Sequence, residues 1–368
     1  MTAPVSVLIV EDSAVARELI TEALASDPRL TVVAAVDTAE KALRLIPRLK
    51  PDIISMDVRL PGMNGIDATR QIMAEHPTPI VVVAADMSND TVNRSMEALQ
   101  AGALTVVEKP SIDSTAAYQA MARKLCDQFV NLSTVKVVRQ RFGGAIALRR
   151  MASMPSPRPA PVVRTPLANG IAMVGIVAST GGPPAVATIL RGFGNSFPVP
   201  VLVVQHMGAS FLEGYASWLG TACNLEVELG KDGVEPLPGR VYVGPGRHHL
   251  TIRDGRLRLV ADWSERGHVP SGDMLFSSLA ENVGERALGV LLTGMGEDGA
   301  RGLLEMRNAG GHTIVQDRTT SAVYGMPAAA KAMGAAVDDL PLPTIAGRIT
   351  RLVSQSRAEP GPSKVAAP

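Results

Sequence analysis

Two doubly wound α/β units in tandem are the fold this sequence predicts, on three observations. Apolar strand-like runs alternate with amphipathic helical stretches twice along the chain, first from Val5 and again from Ile171. The 368 residues exceed what a single core of ordinary size holds, which points to two domains. A hydrophobic fraction of 46% with aromatics at 3% leaves Val, Leu, Ile, Ala and Met to build the cores.

The first series runs through Val5 to Val10, Thr31 to Val36, Ile53 to Met56, Ile80 to Val83 and Thr105 to Val107. Five strands separated by helical stretches predict a parallel sheet, and a last helix over Ser114 to Val130 closes a domain spanning 1–130. From 131 to 168 the chain is rich in Arg and Pro, with Pro155, Pro157, Pro159 and Pro161 alternating with small or basic residues. Such a stretch reads as an extended, semi-rigid linker. A second domain over 169–355 begins with strand Ile171 to Val177 and continues through Val199 to Val204, Leu288 to Leu292 and Thr313 to Val315. Inside it, between Leu225 and Val260, short β-rich runs alternate with Gly and Pro turns. Arg240 to Val243, His249 to Ile252 and Arg256 to Val260 suggest hairpins inserted at a sheet edge. The tail, 356–368, is expected to be disordered.

Composition excludes several classes. A formal net charge of +1 gives no electrostatic reason to expect a nucleic-acid partner, and the second domain carries neither a helix-turn-helix pattern nor a basic patch. Cys126 and Cys223 lie in different domains without C-x-x-C spacing, so inert thiols in a reducing compartment are expected. No apolar stretch of roughly 18 residues occurs. The N-terminus runs straight into a strand pattern, so membrane insertion is not expected and a cytoplasmic location is.

Functional residues of parallel α/β sheets gather at the carboxyl ends of the strands. In the first domain Glu11 and Asp12 follow the first strand, Asp57 the third, and Lys109 the fifth. Three carboxylates there make a hard oxygen site suited to Mg²⁺, and the metal with Lys109 would neutralise a phosphoryl group arriving on Asp57. The bland alternative is a set of solvated strand-end carboxylates.

In the second domain Ser179 stands in GIVASTGGPPA, where a buried strand ends in a glycine turn before a helix whose first turn accepts Pro183 and Pro184. That geometry exposes a hydroxyl beside backbone N–H groups expected to be free for an oxyanion. A serine needs a base to take its proton, and the base needs a carboxylate to fix its tautomer. His206 in VLVVQHMGASF and Asp298 in LLTGMGEDGARGL occupy strand ends where they would fill those roles. Glu297 is a competing carboxylate, and His248, His249, His268 and His312 are competing bases. A zinc site from His248, His249 and Asp254 is disfavoured, because adjacent strand residues point to opposite faces.

The segments VLIVEDSAVAR, DIISMDVRLPGMNG and VEKP closely resemble the receiver domain of two-component response regulators, which has a flavodoxin-like fold. By that resemblance Asp57 is the phosphoacceptor and Glu11 and Asp12 bind Mg²⁺. Two positions depart from the family pattern: Ala84 stands where Ser or Thr ends the fourth strand, and Val106 where an aromatic switch residue is usual. Phosphorylation is expected to survive both changes, with weakened or rerouted coupling.

The second domain resembles the catalytic domain of the chemotaxis methylesterase CheB family in ASTGGP, QHM, YVGPGRHHL, HVPSGDMLF, LLTGMGEDGA and QDRTTSAVYGMPAAA. The resemblance implies hydrolysis of γ-glutamyl methyl esters, and deamidation of glutamines, on the cytoplasmic helices of chemoreceptors. It implies Ser179, His206 and Asp298 as the triad, no cofactor for hydrolysis, and Thr180 and Met295 at the active site, with a Met295 N–H as an oxyanion donor. A receiver that covers the catalytic face until a chemotaxis histidine kinase phosphorylates it is implied as well. The competing reading is an adaptor that binds kinase and receptor without catalysis, against which the complete Ser, His and Asp set argues.

Overall fold

The computed structural model describes residues 3–84, 89–110, 115–135, 137, 170–194, 197–261 and 268–355. Most of the Arg- and Pro-rich stretch and all of the tail after 355 lie outside the described residues. The described chain forms two compact units, one built on strands β1–β5 and one on β6–β14.

In the first unit β1 (Val5–Val10), β2 (Leu30–Val36), β3 (Ile53–Met56), β4 (Ile80–Ala84) and β5 (Thr105–Glu108) pair in parallel in the order β2-β1-β3-β4-β5. β3 and β4 are buried along their whole length, as strands covered on both faces must be; β4 reads as an unbroken apolar run and β3 as one broken only by the buried Ser55. Between them lie α1 (Ala14–Ala25), α2 (Ala39–Leu49), α3 (Gly65–Glu75) and α4 (Asn89–Gln100), and α5 (Thr115–Ser133) follows. Ser13, Thr38 and Asn64 cap α1, α2 and α3, each side chain accepting a first-turn N–H. α5 extends three residues past the end expected from the sequence.

The second unit is a seven-stranded sheet in the order β14-β13-β12-β6-β7-β9-β8, parallel throughout: β6 (Met173–Ala178), β7 (Val201–Gln205), β8 (Glu226–Leu229), β9 (Arg240–Val243), β12 (Ala287–Leu291), β13 (His312–Gln316) and β14 (Asp338–Leu340). β10 (His248–Arg253) and β11 (Arg256–Ala261) form a separate antiparallel hairpin. The expectation of hairpins throughout 225–260 is corrected here. β8 and β9 do lie at a sheet edge, but they are parallel neighbours, and Arg240–Val243 continues the main ladder beside β7. Ten residues return the chain from β8 to a parallel β9, and their Gly and Pro turns imitate hairpin punctuation.

The helices of this unit are α6 (Gly182–Arg191), α7 (Ala209–Ala222), α8 (Gly272–Asn282), α9 (Ala300–Asn308), α10 (Met326–Ala332) and α11 (Leu342–Gln355). Phe276 and Leu279 of α8, Leu303 and Met306 of α9 and Met326 of α10 pack with Val177, Leu202, Leu291 and Val315 of the sheet in one buried cluster. Each such side chain contributes about 1.5–3 kcal/mol on burial, so the strand ends that carry the chemistry rest on a rigid base. β6 has β12 on one side and β7 on the other, and the crevice above this point of divergence is where such sheets bind ligands.

Candidate active site

The ladder of the seven-stranded sheet continues one step beyond its strands and thereby sets the site. His206 N–H donates to the Ala178 carbonyl at 2.9 Å, and Ser179 N–H to the Thr293 carbonyl at 3.0 Å. Ser179 thus stands between the loop after β12 and the end of β7, one residue past β6. Gly181, with φ of +74°, makes the turn, and a Cβ there would lie 2.5 Å from the Ala322 Cβ. Gly182 opens α6 against the Gln205 side chain, where a Cβ would sit 2.2 Å from Gln205 Oε1.

His206 Nε2 lies 2.7 Å from Asp298 Oδ2, both side chains being well buried. The carboxylate also accepts hydrogen bonds from Gly272 N–H (2.6 Å), Ser271 Oγ (2.8 Å) and Asp273 N–H (3.1 Å), so it sits as an anion on the N-terminus of α8. Burial opposes its ionisation, yet the His206 hydrogen bond and charge, with the Gly272 and Asp273 N–H groups, hold its carboxyl well below the usual carboxylate range. An ionised acceptor on Nε2 places the ring proton there and leaves Nδ1 as the basic nitrogen. Among the described residues, His206 Nδ1 is buried without a hydrogen-bond partner.

The three residues expected to act together are therefore gathered, with a difference. Asp298 and His206 are bonded, and Ser179 is their neighbour through the backbone, but no hydrogen bond joins Ser179 Oγ to His206. Such a contact is often loose before substrate arrives. Two N–H groups expected to be free beside the serine are engaged: Ser179 N–H with Thr293, and Gly182 N–H with the Ser179 carbonyl at 2.8 Å. The Thr180 carbonyl accepts from Thr293 Oγ at 2.9 Å. Met295, half-buried, lies in the loop between β12 and α9, its Cα close against Gly325.

The rival groups are placed elsewhere. Glu297 is exposed. His312 pairs with Asp338 at 2.8 Å, and His249 accepts the Ser271 N–H on Nδ1 at 3.1 Å. His248 and His249 begin β10, whereas Asp254 lies in the turn beyond its other end. Among the described residues these three form no ligand cluster. His268 does not replace His206 but stacks on it, ring centroids 4.1 Å apart and planes 9° from parallel.

Sequence reasoning missed Ser271, Gln205 and Thr293. Ser271 reads as an ordinary N-cap and is one, accepting the Met274 N–H, while its hydroxyl proton goes to Asp298. Gln205 and Thr293 are buried polar residues that end apolar runs.

In the first unit Glu11, Asp12 and Asp57 bring one ligand atom each within 4.8 Å of one another. Lys109 Nζ lies 2.7 Å from a Glu11 oxygen and 2.6 Å from Asp57 Oδ2. Burial pushes Glu11 up to about 7, with the charge of Asp57 acting in the same direction against the pull of Lys109. Three oxygen ligands, one of them destabilised by a like charge, fit a divalent cation such as Mg²⁺. Burial works against the Lys109 charge, but Asp57 and Glu11 more than offset it and raise its pKa. Ala84 and Val106 are buried on β4 and β5 and carry no hydroxyl or ring.

An acidic phosphoacceptor-type cluster on one parallel sheet and a Ser, His and Asp set on another define a receiver domain coupled to a hydrolase-type domain. Comparison with known proteins agrees. Residues 7–122 match the response regulator receiver domain and 174–349 the CheB methylesterase domain. The chain is 46% identical to protein-glutamate methylesterase/protein-glutamine glutaminase 2 of Paramagnetospirillum magneticum over 96% of its length and 98% of that protein's. It is 40% identical to the protein of that name from Nitrosospira multiformis, over 99% and 100% of the two chains. With methylesterase/glutaminase 4 of Myxococcus xanthus it shares 42% identity, over 94% and 96%. The chain belongs to the CheB family of protein-glutamate methylesterase/protein-glutamine glutaminases.

Proposed function

We propose that this protein is a phosphorylation-regulated serine hydrolase of the cytoplasm, which demethylates glutamate methyl esters and deamidates glutamines on chemoreceptor helices. One observation carries the catalytic reading: Asp298 holds His206 Nε2 at 2.7 Å and leaves Nδ1, among the described residues, buried without a hydrogen-bond partner, at a strand end next to the one that carries Ser179.

Ser179 Oγ attacks the ester carbonyl while His206 Nδ1 takes its proton. Asp298 keeps the tautomer and stabilises the imidazolium. Collapse of the tetrahedral intermediate breaks the C–O bond to the methoxy group, which leaves as methanol with the proton from His206; with a glutamine side chain the leaving group is ammonia. Water, deprotonated by His206, then attacks the acyl-serine, and glutamate is released as Ser179 recovers its proton. N–H donors for the oxyanion come from the Thr180 and Met295 segments.

Residues 1–130 serve as the regulatory domain and 169–355 as the catalytic one. Asp57 takes a phosphoryl group from a histidine kinase. Glu11, Asp12 and Asp57 would hold Mg²⁺, which when bound supplies charge neutralisation for that transfer. Lys109 is poised to pair with the phosphorylated side chain. Ala84 and Val106 lack the groups through which receivers ordinarily signal, so the coupling is weak or takes another route.

The test is methanol release from methylated receptor helices by the full chain, with and without acetyl phosphate and Mg²⁺, using Ser179→Ala as the blank. Loss of turnover in the blank is expected; retained turnover refutes the serine mechanism.

A further inference from the structure

Gln205 is a buried polar residue at the end of β7, preceded by the apolar residues Val201 to Val204, and the reaction as described does not use it. A carboxamide in such a place carries a stability cost unless its groups are satisfied. Its amide is satisfied by both halves of the catalytic pair: Nε2 donates to the Ser179 carbonyl at 2.8 Å and to the His206 carbonyl at 3.1 Å. Its Oε1, among the described residues, is buried without a hydrogen-bond partner and lies against Gly182. An apolar side chain of equal size would fill this space and strand no oxygen. What the amide adds is a cross-link.

We infer that Gln205 is a positioning residue which ties the turn carrying the nucleophile to the backbone of the base, and so holds Ser179 and His206 at the separation their proton transfer needs. The inference rests on the serine mechanism proposed above. Ser179 is pinned at its N–H by Thr293 and at its carbonyl by both Gly182 N–H and the Gln205 amide. His206 is pinned at its N–H by Ala178, at its ring by Asp298 and at its carbonyl by Gln205. Removing the amide frees one anchor on each residue at once. Glycine at 182 leaves room for the rotamer that delivers the amide, since a Cβ there would fall 2.2 Å from Oε1.

The experiment compares full-length wild type, Gln205→Met and Gln205→Glu for methanol release and for the rate at which a fluorophosphonate labels Ser179, with folding followed by circular dichroism and thermal melting. Methionine fills the volume without a donor. Displacement of a reacting group by about 1 Å costs up to roughly 10²-fold, so Q205M should lose about 10- to 100-fold in kcat and a similar factor in labelling rate, with KM within about threefold of wild type. Glutamate turns a carboxylate on two carbonyl oxygens and should lose more. Folded Q205M with kcat within about twofold of wild type overturns the inference. So does a loss confined to KM, or one that disappears when the assay is run farther below the variant's melting temperature. Should Q205M not fold, Q205N, whose amide falls one methylene short, is read in the same way; failure of both to fold assigns Gln205 to the core and overturns the positioning role. A wild type without turnover, or an active Ser179→Ala, would instead sink the proposed mechanism.

Discussion

Asp298→Asn tests the catalytic geometry most sharply, because the four groups around the carboxylate all donate. Oδ1 accepts from Ser271 and Asp273, and Oδ2 from Gly272 and His206. An amide keeps one oxygen, so whichever way it is turned, its NH₂ opposes two donors. With the amide toward His206, the ring must move its proton to Nδ1 to accept from the amide, and the nitrogen proposed to take the serine proton ceases to be a base. Trapping the wrong tautomer in this way costs about 10⁴ in kcat in a Ser-His-Asp enzyme, or about 5.4 kcal/mol at 1.36 kcal/mol per tenfold. With the amide turned the other way, the donors lost are Ser271 and Asp273 and catalysis suffers less, so the measured loss reports which orientation prevails. Stability should fall as well, because hydrogen bonds to a charged group contribute about 1.5–3 kcal/mol each and the anion on the α8 N-terminus is gone. The depressed pKa sets a pH signature. Asp298 stabilises the folded unit above its unfolded pKa of about 3.9, and that contribution is lost as pH falls toward its lower folded value. The variant should therefore show less loss of melting temperature between pH 5 and pH 3 than wild type does. The assays are methanol release with circular dichroism and melting curves across that range. A folded Asp298→Ala variant, which offers Nε2 no oxygen in any orientation, with kcat within tenfold of wild type would refute Asp298 as the group that orients His206.

Three further expectations follow from the same structure. Ala84→Ser returns a hydroxyl to the end of β4 and should enlarge the stimulation of methanol release by acetyl phosphate several-fold; an unchanged ratio would show that the missing hydroxyl is not what limits coupling. Chelation of divalent cations by EDTA should prevent labelling of Asp57 by a radioactive phosphodonor and leave basal methanol release intact, whereas loss of both would place a metal in the hydrolytic step. Asp338 accepts His312 Nε2 at 2.8 Å and Arg348 Nε at 2.7 Å, joining β13, β14 and α11. His312→Ala should lower the melting temperature by a few degrees, for a loss on the order of 1 kcal/mol, with kcat unchanged; an effect on kcat would tie this edge of the sheet to the site.

The strands were legible because fully buried parallel strands are written as near-continuous apolar runs, as Ile80–Ala84 and residues 201–204 are. The candidate Ser, His and Asp positions could be picked out because each follows such a run directly or within a short glycine loop. Pairing direction was not. Arg240–Val243 has the length and composition of a hairpin strand, and only its partners, β7 and β8, make it parallel. Local patterns carry no information about partners that distant. The same limit hid the groups that hold Asp298. Ser271 is 27 residues away from it, and nothing in a Ser before a helical run says that its proton has a second use. Gln205 stands beside His206 in the sequence, yet its bond to Ser179 spans 26 residues.

That pattern has a physical basis. Three neighbouring parallel strands end at one edge, and the residue or loop that follows each carries one member of the proposed Ser, His and Asp set, which is why sequence can single them out. Their mutual geometry is set by a different class of residue: buried polar side chains that hydrogen-bond backbone belonging to the neighbouring strand's loop. Thr293 is a second case beside Gln205, since its hydroxyl donates to the Thr180 carbonyl and accepts the Val323 N–H, joining the nucleophile turn to the loop before α10. Such residues carry a desolvation cost that satisfied hydrogen bonds only just offset, so they contribute little to net stability. Their contribution is to the separation of two backbones. In a site where Ser179 Oγ and His206 are neighbours but not yet bonded, that separation decides whether substrate binding closes the last gap or must first repair it.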